Sequence, residues 1–111
     1  MSKPHPVNDR KRWLAWLRAN PNLQLHGGTK LTVGGREGRH ICAMEAAQRI
    51  VGVNEREDPC YDETGRRIGL TSKQVDKVEA MNDGAQGERL HSFQEIADVV
   101  ETWPVAIGRR D

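Results

Sequence analysis

His40 and Cys42 on one side and Cys60 on the other offer three possible zinc ligands. A structural zinc site ordinarily takes four ligands, commonly with a Cys-x-x-Cys pair, and the sequence has no such pair. No metal and no cofactor are therefore expected. His40 and Cys42 do not make a nucleophile and its base either, because side chains two apart on a helix point in different directions. With its apolar neighbours, Cys42 reads as a small core residue, and both cysteines are expected to be reduced thiols. The carboxylates are numerous but scattered, and no pair shares an apolar setting by its spacing. An enzyme is not expected.

The cations offer more. In "HGGTKLTVGGREGRH" five glycines lie beside Lys30, Arg36, Arg39 and His40, and the segment leads into a helix. Free N–H groups and the helix dipole there would favour a small anion such as a nucleotide. Neither the Gly-x4-Gly-Lys-Ser/Thr nor the Gly-x-Gly-x-x-Gly pattern is present, so a turn-and-linker role competes with binding. Arg10, Lys11 and Arg12, followed by Trp13, form a candidate phosphate-contacting patch or else a solvated helix face. Tyr61, Arg66 and Arg67 fall in a polar, turn-rich stretch over 54–69, read as a long loop with a short ribbon around Thr64-Gly65; loops of that length are often functional.

Net charge is +1 over 111 residues, but it is unevenly placed. Residues 1–40 carry eight Lys/Arg against two Asp/Glu, and residues 41–111 carry nine against fourteen. A protein dedicated to coating or packaging DNA would be more basic. The stretch "SFQEIAD" from Ser92 has the look of the first helix of a DNA-binding helix-turn-helix. However, only Glu-Thr-Trp-Pro and a seven-residue tail follow Val100, too little for a recognition helix. Were this helix itself the reader, Glu95, Asp98 and Glu101 would repel phosphates.

The elements that must position these groups can be read from periodicity and caps. Prolines in residues 1–8 predict a flexible arm. Asn8 or Asp9 caps a first helix that stops before Pro21, with Trp13, Trp16 and Leu17 as its buried stripe. Leu23, Leu25, Leu31 and Val33 alternate with polar residues around Gly27-Gly28, which predicts a short β-hairpin. A second helix spans "RHICAMEAAQRIV" and ends at Gly52. Thr71 and Gln74 predict a capping box for a third helix, stapled by Leu70 and Val75 and ending at Gly84. Asn82-Asp83 at its end is given a structural role. Ser92 and Glu95 predict a second capping box for a fourth helix with Phe93, Ile96, Ala97, Val100 and Trp103 on its apolar face, closed by Pro104. The expectation is an α+β domain, mainly α, with about four short helices and a small hairpin over residues 9–104, and a loose tail over 105–111. The tryptophans near the two ends are expected to pack together.

Several of these motifs in order, "CAMEA" from Cys42, "LTSKQ" from Leu70, Asn82-Asp83 and Ser92 to Asp98, resemble those of a group of small uncharacterised bacteriophage and actinobacterial proteins. The likeness covers roughly residues 38–103. It departs at Glu45, where that group has glycine, and at Gln48, where a second cysteine is common. The resemblance implies a phage-encoded accessory protein that engages a host protein or a defence complex, and it brings no established activity. No apolar run approaches a membrane span, and the first residues lack a signal peptide's hydrophobic stretch. The expectation is a cytoplasmic binding protein in a bacterial host cell. Its alternatives are a nucleotide or signal-molecule binder and a weak nucleic-acid binder.

Overall fold

A buried cation sets the arrangement of the helices. The computed structural model describes residues 5–24 and 41–106. Among them are five helices: α1 (Pro6–Ala19), α2 (Ala43–Val51), α3 (Asp62–Arg67), α4 (Ser72–Asp83) and α5 (Phe93–Glu101), with a 3-10 turn over Pro21–Leu23. The Arg10 guanidinium lies inside, 5% exposed, and its five N–H groups meet five different carbonyls. Nε donates to Ile68 O at 3.0 Å, Nη2 to Gly69 O at 2.7 Å, and Nη1 to Trp103 O at 2.6 Å. Longer contacts of 3.4 Å reach Val100 O and Pro104 O. These carbonyls lie at the C-terminal ends of α3 and α5, where helix dipoles place partial negative charge. Burial lowers the affinity of this guanidinium for its proton, but an arginine remains charged.

Around this joint the apolar faces close a single core. Trp13, Leu17, Met44, Ile68, Val78, Phe93, Ile96 and Val100 are each fully buried. Trp13 Nε1 donates to Ala43 O at 2.9 Å, so the indole fills the space between α1 and α2 without leaving its polar atom unpaired. Trp16 packs on Phe93 with ring centroids 5.7 Å apart, and Trp103 is partly buried against the same core. The terminal tryptophans thus share one core, as expected from their positions.

Both capping boxes are present. Thr71 Oγ1 accepts from Gln74 N while Gln74 accepts from Thr71 N, and Ser92 and Glu95 make the same exchange. Gly52 and Gly84 end α2 and α4 in left-handed geometry. Asn82 has a larger role than ending its helix. It is buried, and its Oδ1 accepts from Ala43 N at 3.2 Å and from Gln24 Nε2 at 3.1 Å. Gln24 in turn accepts from Phe93 N and donates to His91 O. One side-chain pair thereby serves the orphan N–H groups that open both α2 and α5.

The structure corrects several expectations. The class is all-α among the described residues, not α+β, and no hairpin is formed there. Pro21 and Asn20 fold Leu23 into a 3-10 turn, and the only β-pairing among the described residues is an isolated parallel bridge between Gln24 and Ile41, with Ile41 N donating to Leu23 O. Leu25, Gly27-Gly28, Leu31 and Val33 lie outside the described residues. Helix α1 begins at Pro6, inside the expected arm. His5 caps it, and proline suits the first helical position because its missing N–H would have no partner anyway. Helix α2 begins at Ala43 with Cys42 as its cap. The tail starts later than expected, since Ala106 N donates to Gly69 O at 2.8 Å.

The fifth helix, α3, occupies the stretch read as a loop and ribbon. Tyr61, the residue before it, is left-handed (φ 62°) and offers no side-chain cap. Asp58 supplies one from further upstream: its buried carboxylate accepts from Glu63 N and Thr64 N at 2.9 Å and from Thr64 Oγ1 at 2.6 Å. Gln48 holds the same residue by donating to Asp58 O.

Replacing Arg10 by methionine, which keeps the bulk and removes every donor, should destabilise the fold by about 3 kcal/mol or more. Thermal unfolding should show Tm lowered by roughly 12 to 24 °C. Burial pushes the Asp58 carboxyl up, yet the bonds from Thr64 and Glu63 outweigh it and hold it below its ordinary value. The cap's contribution is therefore full above the unfolded value near ~4 and is lost as pH falls through the folded one. Urea titrations from pH 7 to pH 3 should show Asp58→Asn less stable than the parent at pH 7 by about 1–2 kcal/mol. That gap should narrow towards pH 3.

Candidate functional site

Helices α3 and α4 are joined by four residues, Ile68-Gly69-Leu70-Thr71, and together make a helix-turn-helix. Its geometry depends on two glycines. Gly69 is left-handed (φ 73°) and so gives the chain its reversal, while its carbonyl accepts from both Arg10 and Ala106. Gly65 faces Val75 across the two helices, and a Cβ built on Gly65 would meet Val75 Cγ2 at 2.6 Å. The helices therefore cross as closely as they do only because residue 65 has no side chain. Ile68, Leu70, Val75 and Val78 complete the buried seam, and α2 packs on both helices.

The opposite side of α4 is open. Ser72, Lys73, Asp76 and Lys77 are exposed, whereas Thr71, Val75, Val78, Met81 and Asn82 are buried. Gln74 is engaged in the capping box and Lys77 pairs with Glu88. At the end of α3, Arg66 and Arg67 share one carboxylate, Glu63, at 3.4 and 3.0 Å. Residues 64–75 carry Arg66, Arg67 and Lys73 and no Asp or Glu. The described residues as a whole carry eleven Lys/Arg against fourteen Asp/Glu, so the turn and its flanks are a cationic stretch on an acidic body. Further along α4 the charge reverses with Glu79 and Asp83, both half-buried.

A second cluster lies at the start of α2. Cys42 Sγ accepts from Glu45 N at 3.4 Å and sits 3.8 Å from Tyr61 Oη. Burial pushes the Cys42 thiol up and pushes the Tyr61 phenol far up, and Glu45 and Glu79 add to the effect on the phenol. Glu79 itself is pushed up by burial, then by Asp76 and Asp83. Both Cys42 and Tyr61 are thus neutral at pH 7, which suits packing and not nucleophilic attack. Among the described residues no group of three or more His, Cys, Asp and Glu is arranged to hold a metal.

The residues singled out from sequence fall in different places. Arg10 is buried and structural. Lys11 is exposed on α1, and Arg12 pairs with Asp9 at 3.2 Å while reaching Ile50 O at 3.1 Å. Consequently the three consecutive cations do not form one patch. Lys30, Arg36, Arg39 and His40 lie outside the described residues. Tyr61 belongs to the neutral cluster, and Arg66 and Arg67 flank the turn. The exposed side of α4, Ser72, Lys73, Asp76 and Lys77, was not among them. The signal for them was present in the spacing of Gly65, Gly69, Leu70, Val75 and Val78, which places two glycines and a staple on either side of one turn. No described helix is long and apolar enough to cross a membrane.

No protein family, curated protein or solved structure matches this chain.

Alanine at position 65 should push the two helices apart and cost about 1–3 kcal/mol, because the branched Val75 side chain is stiff and cannot swing aside. Val75→Ala in the same chain should recover part of that loss. A double-mutant cycle by urea unfolding should give a coupling of about 1 kcal/mol.

Proposed function

We propose that this chain is a non-enzymatic binding protein that engages nucleic acid through α3, its turn and α4. The observation that carries the reading is the pairing of a helix-turn-helix with a carboxylate-free stretch bearing Arg66, Arg67 and Lys73. Phosphates are attracted by such a stretch, and Arg66 and Lys73 are exposed on it. The neutral Cys42–Tyr61 pair supports binding over catalysis. A second reading is a host protein docked on the same face, as the phage resemblance implies; the excess of acid over the rest of the described body favours it.

Fluorescence anisotropy with labelled duplexes decides between them. Three phosphate contacts predict that log K falls with a slope near ~2.7 against log salt, about a 40-fold loss between 50 and 200 mM. Absence of binding at 50 mM salt, together with nuclease-resistant adducts from a photocrosslinker at position 73 in bacterial lysate, would favour the protein partner.

A further inference from the structure

We propose that Glu79 is a proton-controlled switch at the junction of α4 with Tyr61 and the start of α2: its charge weakens the junction, and a proton tightens it. The switch does not depend on the nucleic-acid reading above.

The spacing of α4 sets up the conflict. Asp76, Glu79 and Asp83 follow one another at intervals of three and four residues, so a single stripe of the helix carries three carboxylates. Glu79 is the middle one and is half-buried. Among the described residues it has no hydrogen bond and no ion pair, whereas Asp83 accepts from Asn82 Nδ2 at 3.0 Å. The nearby cations are engaged elsewhere. Arg49 of α2 pairs with Glu45, Arg66 and Arg67 of α3 with Glu63, and Lys77 with Glu88. Lys73 lies six residues before Glu79, two-thirds of a turn round the helix. On the side of α5, Arg18 holds Asp98 and Glu101, Arg89 holds Glu95, and His91 acts on Glu88 and Glu95. Across the junction stand the Tyr61 phenol, the Cys42 thiol 3.8 Å from it, and Glu45 in the first turn of α2.

A carboxylate drawn partly out of water, with like charges one turn away on both sides and no donor, holds its proton more tightly than usual. Burial is the larger cause here, and Asp76 and Asp83 add to it. A group raised in this way contributes stability that is complete below its unfolded value near ~4.3 and is lost as pH rises through the folded one. The sign is opposite to that of Asp58. Tyr61 localises the effect. It is held at φ 62°, a conformation that a bulky residue seldom adopts, so opening the junction relieves strain there as well as repulsion.

Three measurements on the full-length chain test the switch. An NMR titration of side-chain carboxyls should place Glu79 above the ordinary glutamate value near ~4.3, and Asp76→Asn should bring it part of the way back. Glu79→Gln, uncharged at every pH, should be more stable than the parent to urea at pH 7. That advantage should shrink towards pH 4, with a tenfold change in the folding constant for each unit by which the folded value exceeds the unfolded one. Finally, in a Cys60→Ser background, which removes the exposed thiol, iodoacetamide at pH 7 should label Cys42 several-fold more slowly in Glu79→Gln than in the parent. Loss of a negative charge alone would favour the thiolate and speed the labelling, so slower labelling reports closure of the junction. Glu79 titrating at or below the ordinary value, equal stability of the two proteins at pH 7, or an unchanged or faster labelling rate each overturns the proposal.

Discussion

The constraint on which the rest of this structure depends is the accommodation of one buried guanidinium without a carboxylate. A cation removed from water loses hydration worth several kcal/mol, and an opposite charge is the usual compensation. Here the compensation is made of carbonyls. Arg10 gathers the C-terminal end of α3, the turn after it, and the end of α5, segments distant from one another in sequence. Because the guanidinium is planar and its five donors have fixed directions, those carbonyls can be satisfied together in only one arrangement of the helices. The crossing of α3 and α4 is thus tied to α1 and α5, although neither belongs to the helix-turn-helix.

The relation between this joint and the open face of α4 gives the fold its sense. A two-helix unit with a four-residue turn keeps its shape only if both helices are held, because its own contacts are few. Gly65 brings α3 against α4 from within the motif, and Arg10 fixes the turn from behind. On the open side of α4 Lys77 pairs with Glu88, while the buried side supplies the stiffness. The Asn82–Gln24 pair extends the same logic to the far end of α4, where it joins the beginnings of α2 and α5.

Local signals were legible in the sequence and distant ones were not. The two capping boxes and the Gly52 and Gly84 ends depend on residues within a few positions, and those elements formed where their residue types required. Helix α3 escaped notice because its cap is Asp58, beyond the usual capping position, and because a left-handed Tyr61 intervenes. Six residues with two acids at the start and two arginines at the end also make too short a run to show periodicity. Arg10 was misjudged for a different reason. An arginine among cations looks like a surface ligand, and only a fold brings the tips of two other helices to it. The residue pattern familiar from a helix-turn-helix lies at α5, whereas the close-packing glycines lie in the earlier helix pair. The alternation at Leu23 misled because Pro21 turns the chain before a strand can begin.

The two polar joints that hold α3 differ in one respect. At the N-terminal end its tie is a carboxylate, Asp58; at the C-terminal end it is a set of backbone carbonyls around Arg10. Carbonyls do not titrate in water and arginine keeps its proton throughout, so acid leaves the second joint untouched while it releases the first. Acidification therefore acts on this helix from one side only. The start of α3 and the chain leading into it loosen first, and the turn that presents α4 is the last part of the motif to give way.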